Sequence, residues 1–305
     1  MTRKGVFADA SLLFIAIIWG ATFPMVKGAV ENFPVFSFLA IRFAIATVAL
    51  LLLSWRTLRT IPRKWVVIGI MAGLVNFTGF ALQTFGLKTI APGRAAFITG
   101  LYGALVPFML VLLGKIRINR MMWVAIVFSV IGLTLLFWND LTFSLASGDV
   151  LVILCAFAFA FQIVIVGLFP KELDPKPMAT LQAFACFGAA AVMAVFTDHP
   201  LTAIPFDTLG AAAFTGILGT ALALVVQAWA QRHTPTYHAA LILCTEPVWG
   251  AMASVALFGE VFTPLAVAGC ILMLISMVAP DLISALQIVY RRRYTEPESL
   301  GLPAR

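Results

Sequence analysis

Apolar residues run along this chain in long, almost unbroken blocks, with polar residues gathered in short clusters between them. Blocks between charged or Pro/Gly breaks predict spans at 10–30, 35–54, 65–86, 93–113, 121–138, 149–169, 177–196, 207–230, 236–258 and 264–285. Each is close to the roughly 20 apolar residues that carry a helix across a bilayer. The block from Ala10 to Val30 is long enough to span and has no small-residue cleavage site, so it reads as a first membrane helix and not as a signal peptide. The polar, proline-containing tail from Tyr290 reads as a mobile cytoplasmic end whose Arg triplet fixes orientation or touches anionic lipid.

Composition supports the same picture. Of 305 residues, 62% are hydrophobic and 11% charged, and the mean hydropathy is +1.04. A soluble domain has about 25% charged residues and could not hide this much apolar surface. Ten spans leave only about ten residues per connection, too few for a separate catalytic domain. With the N-terminus inside, 16 of the 20 Lys and Arg fall in inner segments. Lys27, Lys88 and Arg94 fall outside, and Arg42 lies within a span. This bias predicts a multi-pass protein of the cell (inner) membrane with both termini cytoplasmic. The net charge of +7 is spread over many loops, so nucleic acid is not an expected partner. Cys155, Cys186, Cys244 and Cys270 lie far apart inside apolar blocks and read as small buried residues.

The two halves of the chain superpose. At an offset of 140, Asp9 falls on Asp149, Trp19 on Phe159, Thr22 on Gln162 and Arg42 on Gln182. From the third span the offset is 144, pairing Gln83 with Gln227, Lys88 with Arg232 and Tyr102 with Glu246. The four-residue slip is expected in the loops after spans two and seven. Five spans per unit is an odd number, so the second unit is expected upside down relative to the first. The predicted fold is an all-α polytopic membrane protein of ten transmembrane helices in two inverted five-helix repeats. Its units are 1–140 and 141–285, with a basic cytoplasmic tail at 286–305. Inverted repeats of this kind place a substrate near the midplane and alternate its access.

Several runs carry a family resemblance: IIWGATFPMVKG at 17–28, IRF at 41–43, TGLYGALVP at 99–107, GD at 148–149, QRHTPTYHAALILCTEPVWGA at 231–251 and FGE at 258–260. In this order, on ten spans, the chain resembles EamA-type members of the drug/metabolite transporter superfamily over nearly its whole length. The resemblance implies two inverted five-helix units and secondary active transport, often export, of metabolites or drugs. The chain departs from the commoner pattern in its sixth span, where Phe159 takes the place of the usual tryptophan.

An ionisable side chain inside a span is costly and marks a functional candidate. Arg42 and Glu246 are the two set well away from span ends. Glu246 precedes Pro247, which breaks the helical hydrogen-bond ladder. It either lines the path, binding a proton or a cationic group of the substrate, or only bonds neighbouring helices. Arg42 either attracts a substrate carboxylate or bonds helix-end carbonyls. The matched polar pairs Thr22/Gln162, Gln83/Gln227 and Tyr102/Glu246, together with Trp19, complete the expected substrate path. Trp229 reads as an interface anchor. Gly69-x-x-x-Gly73, Gly216 with Gly219, and Gly250-x-x-x-Ser254 read as close-packing faces, within one bundle or between chains, which leaves the oligomeric state open.

An enzyme would need clustered acid–base or metal-ligating groups, and the sequence has no Walker loop, Gly-x-Ser-x-Gly or His-Glu-x-x-His. His199, His233 and His238 match no metal motif. The expectation is therefore a non-enzyme without cofactor or metal. Its partners would be the bilayer, a small amphipathic or amino-acid-like solute, and protons or an exchanged solute. The alternative is a channel or facilitator, which would need a ring of charges or a filter sequence.

Overall fold

The computed structural model describes residues 3–115, 145–170, 172–198, 203–272 and 274–275, and scattered positions between 123 and 143. The expected fifth span, the second half of the tenth and the tail lie largely or wholly outside the described residues. Helices α1 (Arg3–Val30), α2 (Val35–Ser54) and α3 (Arg63–Leu87) are followed by a broken pair, α4 (Pro92–Thr99) and α5 (Tyr102–Leu112). Trp138–Asn139 and Thr142–Phe143 pair antiparallel before the next helix. Then come α6 (Ser147–Gly167), α7 (Pro175–Thr197) and α8 (Phe206–Gly216). A π-turn, Ile217–Leu222, joins α8 to α9 (Ala223–Ala230). A second broken pair follows, α10 (Thr236–Leu243) and α11 (Glu246–Phe258), and residues 264–272 form α12. Seven helices or helix pairs among the described residues are long and apolar enough to cross a membrane.

Proline sets most helix starts. Pro34, Pro62, Pro205 and Pro235 are N-caps, and Pro92, Pro175 and Pro247 sit in the first turn. In these positions the fixed φ suits the helix and the missing N–H has no intrahelical partner to lose. Gly259 ends α11 in the left-handed conformation, φ 62°, a backbone shape that glycine adopts without a Cβ penalty.

Polar side chains face inward and apolar ones outward. Arg42, Asn76, Gln162, Gln182, Gln227 and Glu246 are buried, while Leu52, Val195, Phe196 and Phe206 are more than three-quarters exposed. An exterior of this kind suits hydrocarbon, and helix contacts then depend on small residues that let backbones approach. Gly69 packs on Leu181, Gly73 on the backbone of Gln182, and Gly250 on Ala96. Gly216 lies so close to α2 that a Cβ there would stand 2.7 Å from the Arg42 carbonyl.

Among the described residues the two largest of four apolar clusters lie one around Phe23, Val30, Phe38 and Phe97, the other around Leu12, Ile15, Val106 and Leu243. Leu101 and Phe159 touch both. Polar ties close the two ends. At one end Lys27 donates to the carbonyls of Leu87 and Ile90 (2.8 and 3.0 Å), and Arg94 grips Asp149 (2.7 and 2.8 Å). At the other end Asp9 accepts from Thr234 (2.8 Å) and lies 3.5 Å from His238. The C-terminal end of α1 therefore sits where α6 begins, and these two helices run in opposite directions.

Candidate functional site

A small cavity lies where the two broken helix pairs cross. Its lining includes Trp19 and Thr22 of α1, Gln83 of α3, Tyr102 at the start of α5, Gln162 of α6, Gln227 of α9 and Glu246 at the start of α11. All the expected path residues except Arg42 meet there.

The breaks create the site. Span four stops being regular at Gly100 and Leu101, and span nine at Cys244 and Thr245. Both restart on a buried polar residue, Tyr102 and Glu246. At the second break the cause is Pro247, whose ring cannot sit beneath the carbonyl of Leu243, so the chain ends one helix and begins another. The crossing is tight, since a Cβ on Gly103 would run into the Cys244 sulfur, and Cys244 Sγ donates to the Gly100 carbonyl at 3.4 Å. Tyr102 donates its hydroxyl to Glu246 Oε2 at 3.0 Å, tying the two breaks together.

Other lining groups are held in place by neighbouring helices. Trp19 Nε1 donates to the Gly219 carbonyl (2.8 Å), and Gln83 donates to the Thr99 hydroxyl (3.2 Å). Gln162 donates to Gln182 (2.7 Å) and faces Gln227 at 3.4 Å. Phe159, which has no N–H to donate, packs instead on Gly79 and stands edge-on to Phe80, with ring centroids 5.1 Å apart. That contact is what this chain has where the commoner pattern has tryptophan.

Arg42 lies behind the lining. Its Nε donates to the Thr220 hydroxyl (3.0 Å), and its guanidinium stacks 4.4 Å from the centre of the Phe80 ring. Among the described residues it bonds no helix-end carbonyl, the alternative that its place in the span allowed. Thr220 is free to accept because its own hydroxyl proton goes to the Thr215 carbonyl (2.9 Å), five residues back along the π-turn. Such turns recur at functional sites. Asn76, Phe80, Ile163 and Leu224 also line the cavity and were not expected. Asn76 could have been found as a polar residue buried in an apolar span, whereas the apolar three carry no signal separating lining from packing. Trp229 does not line the cavity; its ring contacts Phe7 and His233.

Comparison with known proteins bears directly on this arrangement. The model of the EamA-like transporter family matches residues 6–138 and again 146–279. The chain belongs to the EamA-like transporter family. Among its relatives, an uncharacterized transporter of Archaeoglobus fulgidus is 30% identical over 281 residues, 92% of this chain and 87% of that protein. The uncharacterized transporter YyaM of Bacillus subtilis is 30% identical over 225 residues, 68% of this chain and 73% of its own. A crystal structure 18% identical in sequence superposes with a TM-score of 0.70, covering 92% of this chain and 99% of the other, which shows likeness of fold. The protein is thus an integral membrane transporter of this family.

The end tie at Arg94 yields a stability prediction for this EamA-family chain. Asp149 is fully buried and receives two parallel bonds from Arg94, plus one from the backbone N–H of Ala146 at 2.7 Å. Arg94→Lys keeps the charge but gives up the planar two-bond fit. Thermal unfolding in detergent should show a loss of about 1 kcal/mol. An unchanged midpoint would mean that the pair contributes nothing measurable.

Proposed function

We propose that this protein is a secondary carrier that exports a small amphipathic, amino-acid-like solute, with the cavity between the broken helices exposed alternately to the two sides of the cell membrane. The observation that carries this reading is the meeting of two interrupted helices at polar residues, Tyr102 and Glu246, in the middle of an apolar bundle. Interrupted helices at depth place backbone and polar groups where a solute can use them, and they are tolerated where they line a cavity.

Several features support two inverted five-helix units, 1–140 and 141–285, and the gathering of Lys and Arg in alternate loops supports both termini and the tail 286–305 in the cytoplasm. The family model matches the chain twice. The antiparallel course of α1 and α6 is the one that inversion requires. The end ties correspond as well: Asp9 and Asp149 are partners at an offset of 140, and their contacts His238 and Arg94 at an offset of 144, yet they close opposite ends. The register in between is equally telling. Gly73 packs on the Gln182 carbonyl and Gly216 on that of Arg42, an offset of 143, whereas Gln83 and Gln227 differ by 144. On this reading the last residue of the four-residue slip lies inside the π-turn, and the loops take up the rest.

Within the cycle, Glu246 receives either a proton or the cationic group of the solute. One carboxylate serving both makes their binding competitive, and competition turns a proton gradient into solute export.

Labelling of the cavity from each face tests alternating access. In a background with the four cysteines replaced, a cysteine at Thr22 should react with an impermeant reagent from either face of oriented vesicles, with saturating solute protecting it. Reactivity from one face alone, unchanged by every solute of a broad metabolite panel, would remove the alternating-access reading.

A further inference from the structure

Around Phe80 two buried donors have no acceptor. Arg42 is 1% exposed and its Nη2 makes no hydrogen bond. Asn76, 3% exposed and four residues before Phe80 on α3, likewise has an unpaired Nδ2. Buried polar groups in folded proteins nearly always find partners, so such a pair asks for an explanation. Arg42 takes part in none of the ion pairs found among the described residues. A guanidinium stays charged in any protein setting and cannot discard its proton to escape burial. Its one bond among the described residues, to Thr220, engages a neutral hydroxyl.

The charge is also close to the cavity. Asn76 and Phe80 belong to the lining. So does Gly219, and a Cβ built there would stand 3.7 Å from Arg42 Nη2 and 3.2 Å from Thr22 Cγ2. The missing side chain at 219 thus leaves the buried guanidinium directly behind the lining. Position 182, matched to Arg42 across the halves, carries a glutamine that already accepts from Gln162, so the uncompensated cation belongs to one side of the cavity only.

We propose that Arg42 and Asn76 form an anion subsite that receives the carboxylate of the transported solute. Two donors without acceptors fit a group that is all acceptor, with two oxygens and one negative charge. Phe80, with Phe159 beside it, offers an apolar face to the carbon frame next to that carboxylate. The inference rests on the carrier reading and adds the chemistry of one end of the solute. Glu246 takes the opposite charge, so the solute is an organic carboxylate that also bears a cationic group.

Binding of three solutes on one carbon frame, measured by thermal shift and calorimetry with the full chain in nanodiscs, tests this. ε-Aminocaproate carries both charges, its amide lacks the anion, and hexylamine lacks the carboxyl group altogether. Aminocaproate should bind about ten- to hundred-fold more tightly than the other two, the range for hydrogen bonds to a charged group. Arg42→Gln should erase that difference while leaving the amine's affinity alone. Gly219→Ala, which puts a methyl group between cavity and guanidinium, should reduce the difference and guards against Arg42→Gln failing to fold. If the amide and the amine bind as tightly as aminocaproate in wild type, the anion subsite is wrong while the cavity reading stands. If none of the three binds, the cavity reading fails with it.

Discussion

Glu246→Gln is expected to abolish proton-driven accumulation of solute while leaving the fold intact. The substitution keeps the size of the side chain and its bond with the Tyr102 hydroxyl, now to an amide oxygen, but removes the charge and the titration. In the proposed cycle protons and the solute's cationic group compete for one carboxylate, so solute binding should weaken as pH falls. The variant should bind more weakly at neutral pH and show no pH dependence. In proteoliposomes an imposed pH gradient should then drive no accumulation, leaving at most equilibration. Retention of the full rate, gradient response and pH profile would reduce Glu246 to a structural bond across the Pro247 break.

Gly20→Ala is expected to destabilise the fold more than Arg94→Lys. A Cβ at position 20 would stand 2.5 Å from Trp249 Cβ, 2.7 Å from the Gly250 nitrogen and 2.9 Å from the Glu246 carbonyl. Two of these atoms are backbone, so no rotamer change relieves the contact and α1 must move away from α11. Overpacking of this kind costs about 1–3 kcal/mol. It also shifts the helix that carries Trp19 and Thr22 away from the one that carries Glu246, so transport should fall with stability. Gly188→Ala is the matched control, because nothing stands within 4 Å of its Cβ position. There the ordinary helix preference for alanine applies, a gain of up to about 1 kcal/mol. Thermal unfolding of both variants in the same detergent separates the two mechanisms. Equal midpoints would show that α1 and α11 are not in the contact described.

Much of this was legible in the order of residues. Span boundaries were visible because apolar blocks and helix-starting prolines coincide, as at Pro34, Pro92 and Pro175. The polar residues gathered at the cavity were visible too, because Gln83, Gln162, Gln227 and Glu246 are expensive in hydrocarbon and each has a counterpart in the other half. Pro247 announced the break in span nine. The break in span four was hidden, since Gly100 is an ordinary residue in a membrane helix and Pro107 falls inside α5 rather than at the interruption. The π-turn was hidden for a similar reason. Gly216, Gly219 and Thr220 read equally well as a packing face, and only the structure shows the bond from the Thr220 hydroxyl to the Thr215 carbonyl, which leaves the hydroxyl oxygen to accept from Arg42. Arg42 itself was legible as a candidate, but its place behind Phe80 was not, because sequence spacing does not say which helix faces which.

Counterflow tests the central claim most directly. Purified protein is reconstituted in liposomes loaded with a high concentration of unlabelled solute, and a trace of labelled solute is added outside. A carrier working by alternating access predicts a transient accumulation of label above equilibrium that saturates with solute and passes no ionic current. Label that only equilibrates, at a rate linear in concentration and accompanied by current, would contradict the carrier and leave a channel in its place.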